Sequence, residues 1–488
     1  MEPILVQVPA AFKDVVPRLQ LLLDLAESAR CAAAAGDPFA YADLERALAL
    51  GANAVQCDLH AVLLDAMVVD SPRLLINNVL HRRVLRSATT FYSSAGEVPL
   101  VRWLYRRLDQ PDAPTVDPVA LRIGAVGGTW TPAAADAMAF LVQQGPVREA
   151  AQTAQQLGVL PYSWASFQRV TQAVGALHHA HQDAIEDALI ERHEVPAEAT
   201  GITLSLDRTS GPFEEPRTRA PGRPKRGKKR KGKGKKRSPR GPITRAWRMI
   251  YCACLTLHDK DGRALQTLRY GCMPDEDPAA VAAALLADVT SLRARRPDLL
   301  VEVICDGAPE MWNLLDDAVA QAGLAESVRR LVDLWHLLGY VGKALRVRYG
   351  DARGSQELAR WRMQLLNRSD AAGRLLAELR SWSVAVRTQW VGSEQPVADA
   401  ITYLSNQLSA GRVDYAAARR AGQPVGGGNV EATCKSAVGV RFKRCGARWK
   451  SCSGAHVLRL RMIALSGRWR AAMELLHACD QHEIKKVA

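Results

Sequence analysis

The sequence lacks the cysteine patterns of a zinc-binding or disulfide-bonded protein. Its ten cysteines are scattered along 488 residues, and no two form a CxxC pair. No set of Cys and His has zinc-ligand spacing. Cys252 and Cys254, two apart in a predicted strand, are interpreted as buried small hydrophobic side chains on one face. The pattern indicates a reducing cytoplasm and excludes a disulfide framework.

Long uncharged hydrophobic runs are also absent. No stretch reaches the ~18 apolar residues that cross a bilayer. The first residues, Met1 to Ile4, lack the basic and then apolar segments of a signal peptide. We therefore expect a cytoplasmic protein, nucleoid-associated when bound to DNA, with no membrane partner. The chain has 488 residues, 48% of them hydrophobic, which is enough for two or three domains with sizeable cores.

Acidic residues are missing from one strongly basic segment. Residues 217–240 hold 14 Lys or Arg and no Asp or Glu, and subtracting these 14 charges from the net +15 leaves +1 for the remainder. Such a segment repels itself and attracts polyanions, so we predict a disordered loop that binds DNA without sequence preference. Lys228, Lys229, Arg230 and Lys231 lie at its centre. The alternative is a charge run that only aids solubility.

The amino-terminal part is predicted to be helical. Residues 15–30 and 39–69 show apolar side chains at three- and four-residue spacing, so residues 1–95 are interpreted as a helical region. Little periodicity is visible over residues 93–118, which we interpret as a linker.

A possible helix-turn-helix DNA-binding region occupies residues 96–200. One helix is expected to start at Thr131-Pro132, a second to span 146–157, and a third to span 164–174 behind an N-cap at Ser163. Arg169 on the third helix would face DNA. Because the turn before that helix is longer than in the compact motif, a plain helical hairpin is an equal alternative.

From Gly201 the period changes to that of strands, and the order β-β-β-α-β-α-β-α follows. This order predicts an α+β or α/β fold with a mixed sheet, like that of RNase H. The first strand is expected to end at Asp207, and Asp259 to Gly262 predicts a hairpin turn. The catalytic domain would comprise residues 201–345 and 425–488, interrupted by an all-helical insertion at 346–424.

Three carboxylates are candidates for chemistry. Asp207 and Asp306 follow predicted strands, at the edge where open sheets bind ligands, and Glu431 lies in the first turn of a helix. Carboxylates suit Mg²⁺, and two such ions can drive phosphodiester cleavage. Alternatively, the aspartates start turns and Glu431 interacts with the helix dipole. Lys435, one helical turn after Glu431, would contact phosphate or pair with Glu431.

A set of motifs in this order resembles the ISKra-type insertion-sequence transposases and, more distantly, Mutator-like elements. The resemblance covers roughly residues 100–470. The motifs are SLDRTS at 205–210, CDGAPEMW at 305–312, DLWH at 333–336, GGNVE at 427–431, RFK at 441–443 and GARW at 446–449. Two departures are the Arg208 that replaces a common glycine, and the absence of zinc-ribbon cysteines. If the strand register differs, Glu214 and Glu215 are alternatives to Asp207.

The resemblance implies a DDE transposase in which Asp207, Asp306 and Glu431 hold two Mg²⁺ or Mn²⁺ ions. Its partners would be the element's terminal inverted repeats and target DNA, and it would act as a homo-oligomer on DNA. Asp333 and His336 match a signature near the active site, with a structural hydrogen bond as the favoured alternative. A transposase-derived DNA-binding protein without catalysis is the main rival, and a nuclease of the same fold is more distant.

The segment from Arg441 onward is basic and aromatic. We expect Arg441, Lys443 and Arg448 to grip phosphates. Trp449 would stack on a base at the cleavage site or, equally, form part of the core.

Overall fold

The computed structural model describes residues 6–33, 36, 38–216 and 243–487. Two compact units divide the chain: residues 1–186 with 469–488, and residues 187–468. The basic segment predicted as a disordered DNA-binding loop, including Lys228, Lys229, Arg230 and Lys231, lies outside the described residues.

The first unit combines helices with a four-stranded sheet of order β3-β2-β1-β9. Its elements are a 3₁₀ turn Ala10–Phe12, α1 Val16–Ala33, α2 Pro38–Ala66, β1 Arg73–Ile76, β2 Val79–Tyr92, β3 Glu97–Arg107, α3 Pro118–Ile123, α4 Pro132–Gln144, α5 Val147–Gln156, α6 Trp164–Ala180, most of α7 Gln182–Glu191, α18 Trp469–Cys479 and β9 Ile484–Val487.

The prediction of helices up to residue 95, followed by a linker, is wrong beyond Ala66. Residues 73–107 form three strands instead. Asn77 and Asn78 both have positive φ and make the two-residue turn between β1 and β2. The short β1 is held on its other side by β9, with Arg73 opposite Val487. Pairing with a segment so distant in sequence leaves no periodic signal near β1.

The three helices expected between residues 131 and 174 are confirmed. Thr131 is the N-cap residue of α4, and α5 ends before Gly158, whose φ is +70°. The Ser163 hydroxyl accepts a hydrogen bond from the Ser166 N–H at 3.3 Å and so caps α6. A DNA-binding role for this helix group stays a prediction.

One segment of α2, Tyr41–Ala66, is long and apolar enough to cross a membrane by length and composition. One such helix is weak evidence for a membrane span, because helices of soluble proteins pass the same test. Asp58 within this segment forms an ion pair with Arg18 of α1 at 2.9 Å. The expectation of no membrane partner stays a prediction.

The second unit is built on a five-stranded mixed sheet of order β6-β5-β4-β7-β8. Its first elements are β4 Gly201–Pro216, β5 Ile243–His258, β6 Ala264–Cys272, α8 Pro278–Arg295, β7 Leu300–Cys305, α9 Pro309–Gln321 and β8 Val328–Val332. Neighbours among β4, β5 and β6 are antiparallel, whereas β4-β7 and β7-β8 are parallel. The predicted mixture of helices and strands around a mixed sheet is confirmed.

One face of this sheet forms a hydrophobic core with α8 and α9. Leu204 and Val303 on the sheet, Leu285 on α8 and Trp312 on α9 are fully or almost fully buried in it. Successive side chains of a strand point to opposite faces of the sheet, so every second side chain points to the helices. The buried Cys252 belongs to another cluster, with Phe213 and Phe442 on the opposite face.

The first strand is longer than predicted. β4 continues for nine residues beyond Asp207, to Pro216, and pairs with β5 from Gly201 opposite His258 to Pro216 opposite Ile243. Asp207 therefore lies within a strand and not at its end. The Asp259 to Gly262 turn is confirmed, since the Gly262 N–H donates to the Asp259 carbonyl at 3.0 Å.

Helices follow β8. They are α10 Leu334–Asn367, kinked at Gly350, α11 Ala371–Ser381, α12 Val384–Arg387, α13 Pro396–Ser409, α14 Tyr415–Arg420, α15 Gly428–Thr433, a π-helix Cys434–Gly439, α16 Val440–Phe442 and α17 Ser451–Leu465. The predicted helical insertion at 346–424 starts inside α10. Residues 469–488, predicted to be in the catalytic domain, belong instead to the first unit, because β9 pairs with β1.

Candidate functional site

Asp207 lies on β4, and Asp306 directly follows the neighbouring parallel strand β7. β4 and β7 run in register, with Leu204 opposite Val303. Two residues further on, the Cys305 thiol donates a hydrogen bond to the Leu206 carbonyl at 3.2 Å. Asp207 and Asp306 directly follow this pair of residues, so adjacent strands hold them side by side.

Each aspartate has one oxygen bonded to the backbone. Asp207 Oδ1 accepts from the Arg208 N–H at 2.7 Å, and Asp306 Oδ1 accepts from the Ala308 N–H at 3.0 Å. Burial raises the pKa of Asp207, and the negative charge of Asp306 raises it further.

Glu431 is carried by α15, which packs against β4 and β5. The Asn429 side chain fixes this helix by donating to Thr256 Oγ1 on β5 at 3.1 Å. Glu431 is half-buried, and its Oε2 lies 3.1 Å from the exposed Lys435 ammonium. The expected i,i+4 pairing of Lys435 is therefore present.

Asp333 is a buried capping residue, 3% exposed. Its Oδ1 accepts from the N–H groups of Trp335 at 2.7 Å and His336 at 3.1 Å, which caps α10. Its Oδ2 accepts from the N–H of Gly427, just before α15. Burial alone would raise the pKa of Asp333, but hydrogen bonds from His336 and Gly427 outweigh it and lower the pKa. These contacts favour the structural alternative over metal ligation.

His336 lies among the carboxylates. Its Nδ1 is 3.5 Å from Asp333 Oδ1, and the hydrogen bond with Asp333 raises the pKa of His336 above its ordinary value. The charges of Asp306 and Glu431 act in the same direction. Asp306 also acts on Asp207. The clustering of the three predicted catalytic carboxylates stays a prediction.

The prediction that these carboxylates hold two metal ions stays a prediction. Among the described residues, no group of three or more His, Cys, Asp or Glu side chains is arranged to hold a metal ion. The donor chemistry nevertheless fits Mg²⁺ or Mn²⁺, because carboxylate oxygens are the ligands that these hard ions take. Magnesium is commonly bound by one or two carboxylates together with substrate phosphates and water.

A groove of about 350 Å³ opens beside Glu431. Its lining residues on α10 include Trp335, His336, Tyr340 and Lys343. Trp335 is 56% exposed, and Tyr340 stacks on Tyr403 with 4.2 Å between ring centroids. Sequence reasoning missed these aromatic residues, although Trp335 and Tyr340 are spaced to lie near His336 along one helix.

The predicted phosphate-binding residues near the carboxyl end have different environments. Lys443 and Arg448 are exposed, and the Lys443 ammonium donates to Thr209 Oγ1 on β4 at 2.6 Å. Arg441 is only 4% exposed, and its guanidinium lies 4.7 Å from the Trp449 ring centroid. The prediction that Arg441 grips phosphate is corrected, because a buried guanidinium does not reach DNA.

Trp449 fits the core alternative. Its indole N–H donates to the Phe442 carbonyl at 3.2 Å, and the two rings lie 4.4 Å apart. The Trp449 backbone N–H also donates to the Pro212 carbonyl on β4 at 3.0 Å. These contacts favour the core alternative for Trp449, which is partly buried in the cluster around Phe442.

Arg208, the departure after Asp207, forms an ion pair with Glu310 on α9. Tyr251 donates a hydrogen bond to the same carboxylate. The alternatives Glu214 and Glu215 lie opposite Arg245 and Thr244 at the far end of β4, and Glu215 pairs with Arg248 at 2.5 Å. They lie seven and eight residues beyond Asp207, so Asp207 is the β4 carboxylate beside Asp306.

Arg169 belongs to the other unit, where it is exposed on α6. It lines a cleft of about 670 Å³ together with Tyr92, Trp130 and Tyr162. Tyr92 and Trp130 stack with 4.6 Å between ring centroids, and Tyr162 packs edge-on against both. An exposed arginine beside aromatic rings is compatible with the predicted DNA contact, which stays a prediction.

No family model matches the chain, and no curated protein matches it. The geometry of the carboxylate site and the charge distribution are therefore the basis for assigning a function.

Proposed function

We propose that the chain is a DDE transposase that cleaves DNA strands and transfers them, with an RNase H-like catalytic domain in residues 187–468. The strand order supports this fold: three antiparallel strands, β6, β5 and β4, continue into the parallel β7 and β8. Helices α8 and α9 form the core on one face. The helices after β8 form an insertion before α15.

One observation carries the proposal. Asp207 on β4 and Asp306 directly after β7 follow two residues that are hydrogen-bonded to each other, and the third carboxylate, Glu431, comes from a helix packed over the same sheet. The charges of Asp306 and Glu431 both act on His336. Asp207, Asp306 and Glu431 come from distant parts of the chain, and the proposal is that they form one acidic site beside His336.

Two bound Mg²⁺ or Mn²⁺ ions would supply an activated attacking oxygen and a stabilised leaving oxygen. Asp207, Asp306 and Glu431 are the residues that would hold them. The Arg208 and Ala308 N–H groups orient the two aspartates, each through one carboxylate oxygen. Asp333 holds the loop before α15 in place and thereby positions Glu431. DNA ends and target DNA would be the partners, bound by a homo-oligomer.

The main test measures metal binding and cleavage in the same full-length variants. Asp306→Asn keeps the shape of the side chain but removes a charge from the site. We expect it to weaken Mn²⁺ binding, measured by calorimetry, and to abolish both cleavage and strand transfer on labelled DNA that carries the gene's flanking sequences. Asp317→Asn is the matched control, because Asp317 is exposed on α9 and should leave both quantities unchanged.

The rival, a DNA-binding protein without catalysis, is favoured by the Lys435 ammonium that pairs with Glu431. The Lys435 side chain is 77% exposed and can swing away from the carboxylate. Lys435→Met separates the two proposals. If wild type and Lys435→Met bind DNA and neither cuts with Mg²⁺ or Mn²⁺, catalysis is absent and the rival is correct.

A further inference from the structure

The four-stranded sheet of the first unit carries three arginines in a row across adjacent strands. Arg73 on β1 lies opposite Arg82 on β2, and Arg82 lies opposite Arg106 on β3. Directly opposite residues of antiparallel strands point to the same face, with Cβ atoms ~4.5–5.5 Å apart. The three guanidinium groups therefore project from one face of the sheet. We call these three residues the arginine row.

Like charges at directly opposite positions destabilise a sheet. Arg73 and Arg82 are exposed, and within the described part of the chain neither has an acidic side chain at ion-pair distance. Arg106 is half-buried and donates to the Pro111 carbonyl at 3.0 Å. The row thus carries three positive charges that no acidic side chain among the described residues compensates.

Three other arginines on β2 and β3 form ion pairs with acidic residues. Arg102 pairs with Asp117 at 2.6 Å and Arg107 pairs with Asp109 at 2.8 Å. Arg83 pairs with Asp70. Each of these three has an acid nearby, whereas the exposed Arg86 on β2 lies 6.0 Å from the Trp103 ring centroid. The arginine row differs from all of them because its three members lie directly opposite one another on adjacent strands.

We propose that the arginine row binds the phosphate backbone of duplex DNA. This inference rests on the proposed function for the identity of the polyanion. The guanidinium fork matches phosphate oxygens in geometry. The row crosses three strands, about 10 Å at the usual strand spacing, which allows contacts to several phosphates. Such contacts fix the position of the protein on DNA and do not read the base sequence.

The experiment compares the salt dependence of binding to a mixed-sequence duplex of about 30 base pairs, using the full chain. The test variant replaces Arg73, Arg82 and Arg106 with Gln. Since each phosphate contact contributes about 0.9 to the slope of log affinity against log salt, the slope should fall by about 3. The reduction should be equal for duplexes of unrelated sequence.

The matched control replaces Arg360, Arg368 and Arg374 with Gln. These arginines are exposed on α10, after α10 and on α11, and each pairs with an acid, so the same three charges are lost elsewhere. The control should keep the wild-type slope. The melting temperature of the test variant should be no lower than that of wild type, because repulsion within the row is removed.

The outcomes separate the two proposals. If wild type binds DNA and the test variant keeps its slope, or the control loses as much, the inference is overturned and the proposed function stands. If wild type does not bind duplex DNA at all, both are overturned. Polyglutamate serves as a second probe. If the test variant loses affinity for polyglutamate but keeps the wild-type affinity for duplex DNA, the row binds an acidic protein partner and the inference is overturned.

Discussion

Gly427 donates its backbone N–H to the buried carboxylate of Asp333, 94 residues earlier in the chain. The contact joins the end of β8 to the loop before α15, and the Leu334 N–H donates to the Val425 carbonyl alongside it at 3.1 Å. These bonds close the helical insertion at its base. The position of Glu431 therefore depends on Asp333 even though Asp333 need not touch a metal ion.

Asp333→Asn should lower the free energy of unfolding, and the loss of cleavage activity that follows should be reversible. An amide group in place of the carboxylate cannot accept all three backbone N–H bonds, and a buried unsatisfied donor costs about 1–3 kcal/mol. Urea unfolding should show this loss, and cleavage should recover at low temperature. Asp370→Asn is the control, because Asp370 is an exposed N-cap residue with no capping side-chain bond. A stable but inactive Asp333→Asn protein would instead make Asp333 a ligand.

Gly307→Ala should disturb Asp306 through steric crowding. A Cβ at Gly307 would lie 2.2 Å from Tyr403 Cε2, and Tyr403 is stacked on Tyr340. Overpacking of this kind costs about 1–3 kcal/mol, so both stability and cleavage should fall. Adding Tyr403→Leu should restore cleavage, because Leu lacks the clashing ring atoms.

Gly373→Ala is the control for this glycine, since nothing lies within 4 Å of an added Cβ in helix α11. It should raise stability by about 0.5–1 kcal/mol. If Gly307→Ala is equally well tolerated, the Tyr403 ring does not constrain the loop after Asp306.

Glu302 on β7 should make stability fall as pH rises. It is fully buried, neither carboxylate oxygen has a hydrogen-bond partner among the described residues, and burial raises its pKa from 4.5 to about 8. Between these values the unfolded chain loses the proton while the folded chain keeps it. The contribution of Glu302 to the free energy of unfolding is then highest below pH 4.5 and falls by up to about 1.4 kcal/mol per pH unit until pH 8.

Glu302→Gln removes this titration, so its advantage over wild type should grow from pH 5 to pH 8 in urea unfolding. Glu198→Gln, at an exposed position, should follow the wild-type curve at every pH. A constant difference between wild type and Glu302→Gln across this range would show that Glu302 titrates normally in the folded protein.

Trp335→Ala should weaken DNA binding without affecting the fold. Trp335 is exposed in the groove beside Glu431, where an unpaired base at the cleavage site can stack on its ring. Loss of one stacked base corresponds to about 1–3 kcal/mol of binding free energy. The measurement uses a duplex with frayed ends, and Trp390→Ala, at a residue 64% exposed outside this groove, serves as the control. Equal effects of the two variants would exclude Trp335 as a stacking platform.

Local signals predicted most of the second unit and the helices α4 to α6 of the first. The N-cap of α6 at Ser163, the Asp259 to Gly262 turn and the order of strands and helices from β4 to α10 all depend on residues close in sequence. Asp207 and Asp306 could be placed near each other because parallel strands share an edge. The length of β4 could not be predicted, since residues after Asp207 are held in the strand by pairing with β5 beyond the basic segment.

Features that depend on pairing between strands distant in sequence, or on side-chain packing, could not be predicted from the sequence. Strand β1 exists because β9 binds its edge, and no pattern near Arg73 predicts this partner. Asn77-Asn78, with both residues at positive φ in the turn, is a local signal for the hairpin that the prediction of a helix did not use. Arg441 looks like a surface residue in the sequence, but the Trp449 ring and the surrounding core cover it.

The pairing of β9 with β1 has a consequence for protein synthesis. A ribosome completes β1 early, but its outer edge stays open until residues 484–487 have been translated. An open strand edge readily pairs with other chains and promotes aggregation. Glu431 is also made late, after both aspartates. A prematurely terminated chain would therefore carry an unprotected edge and, where it stops before residue 431, an incomplete carboxylate set, so solubility and cleavage would both depend on late translation.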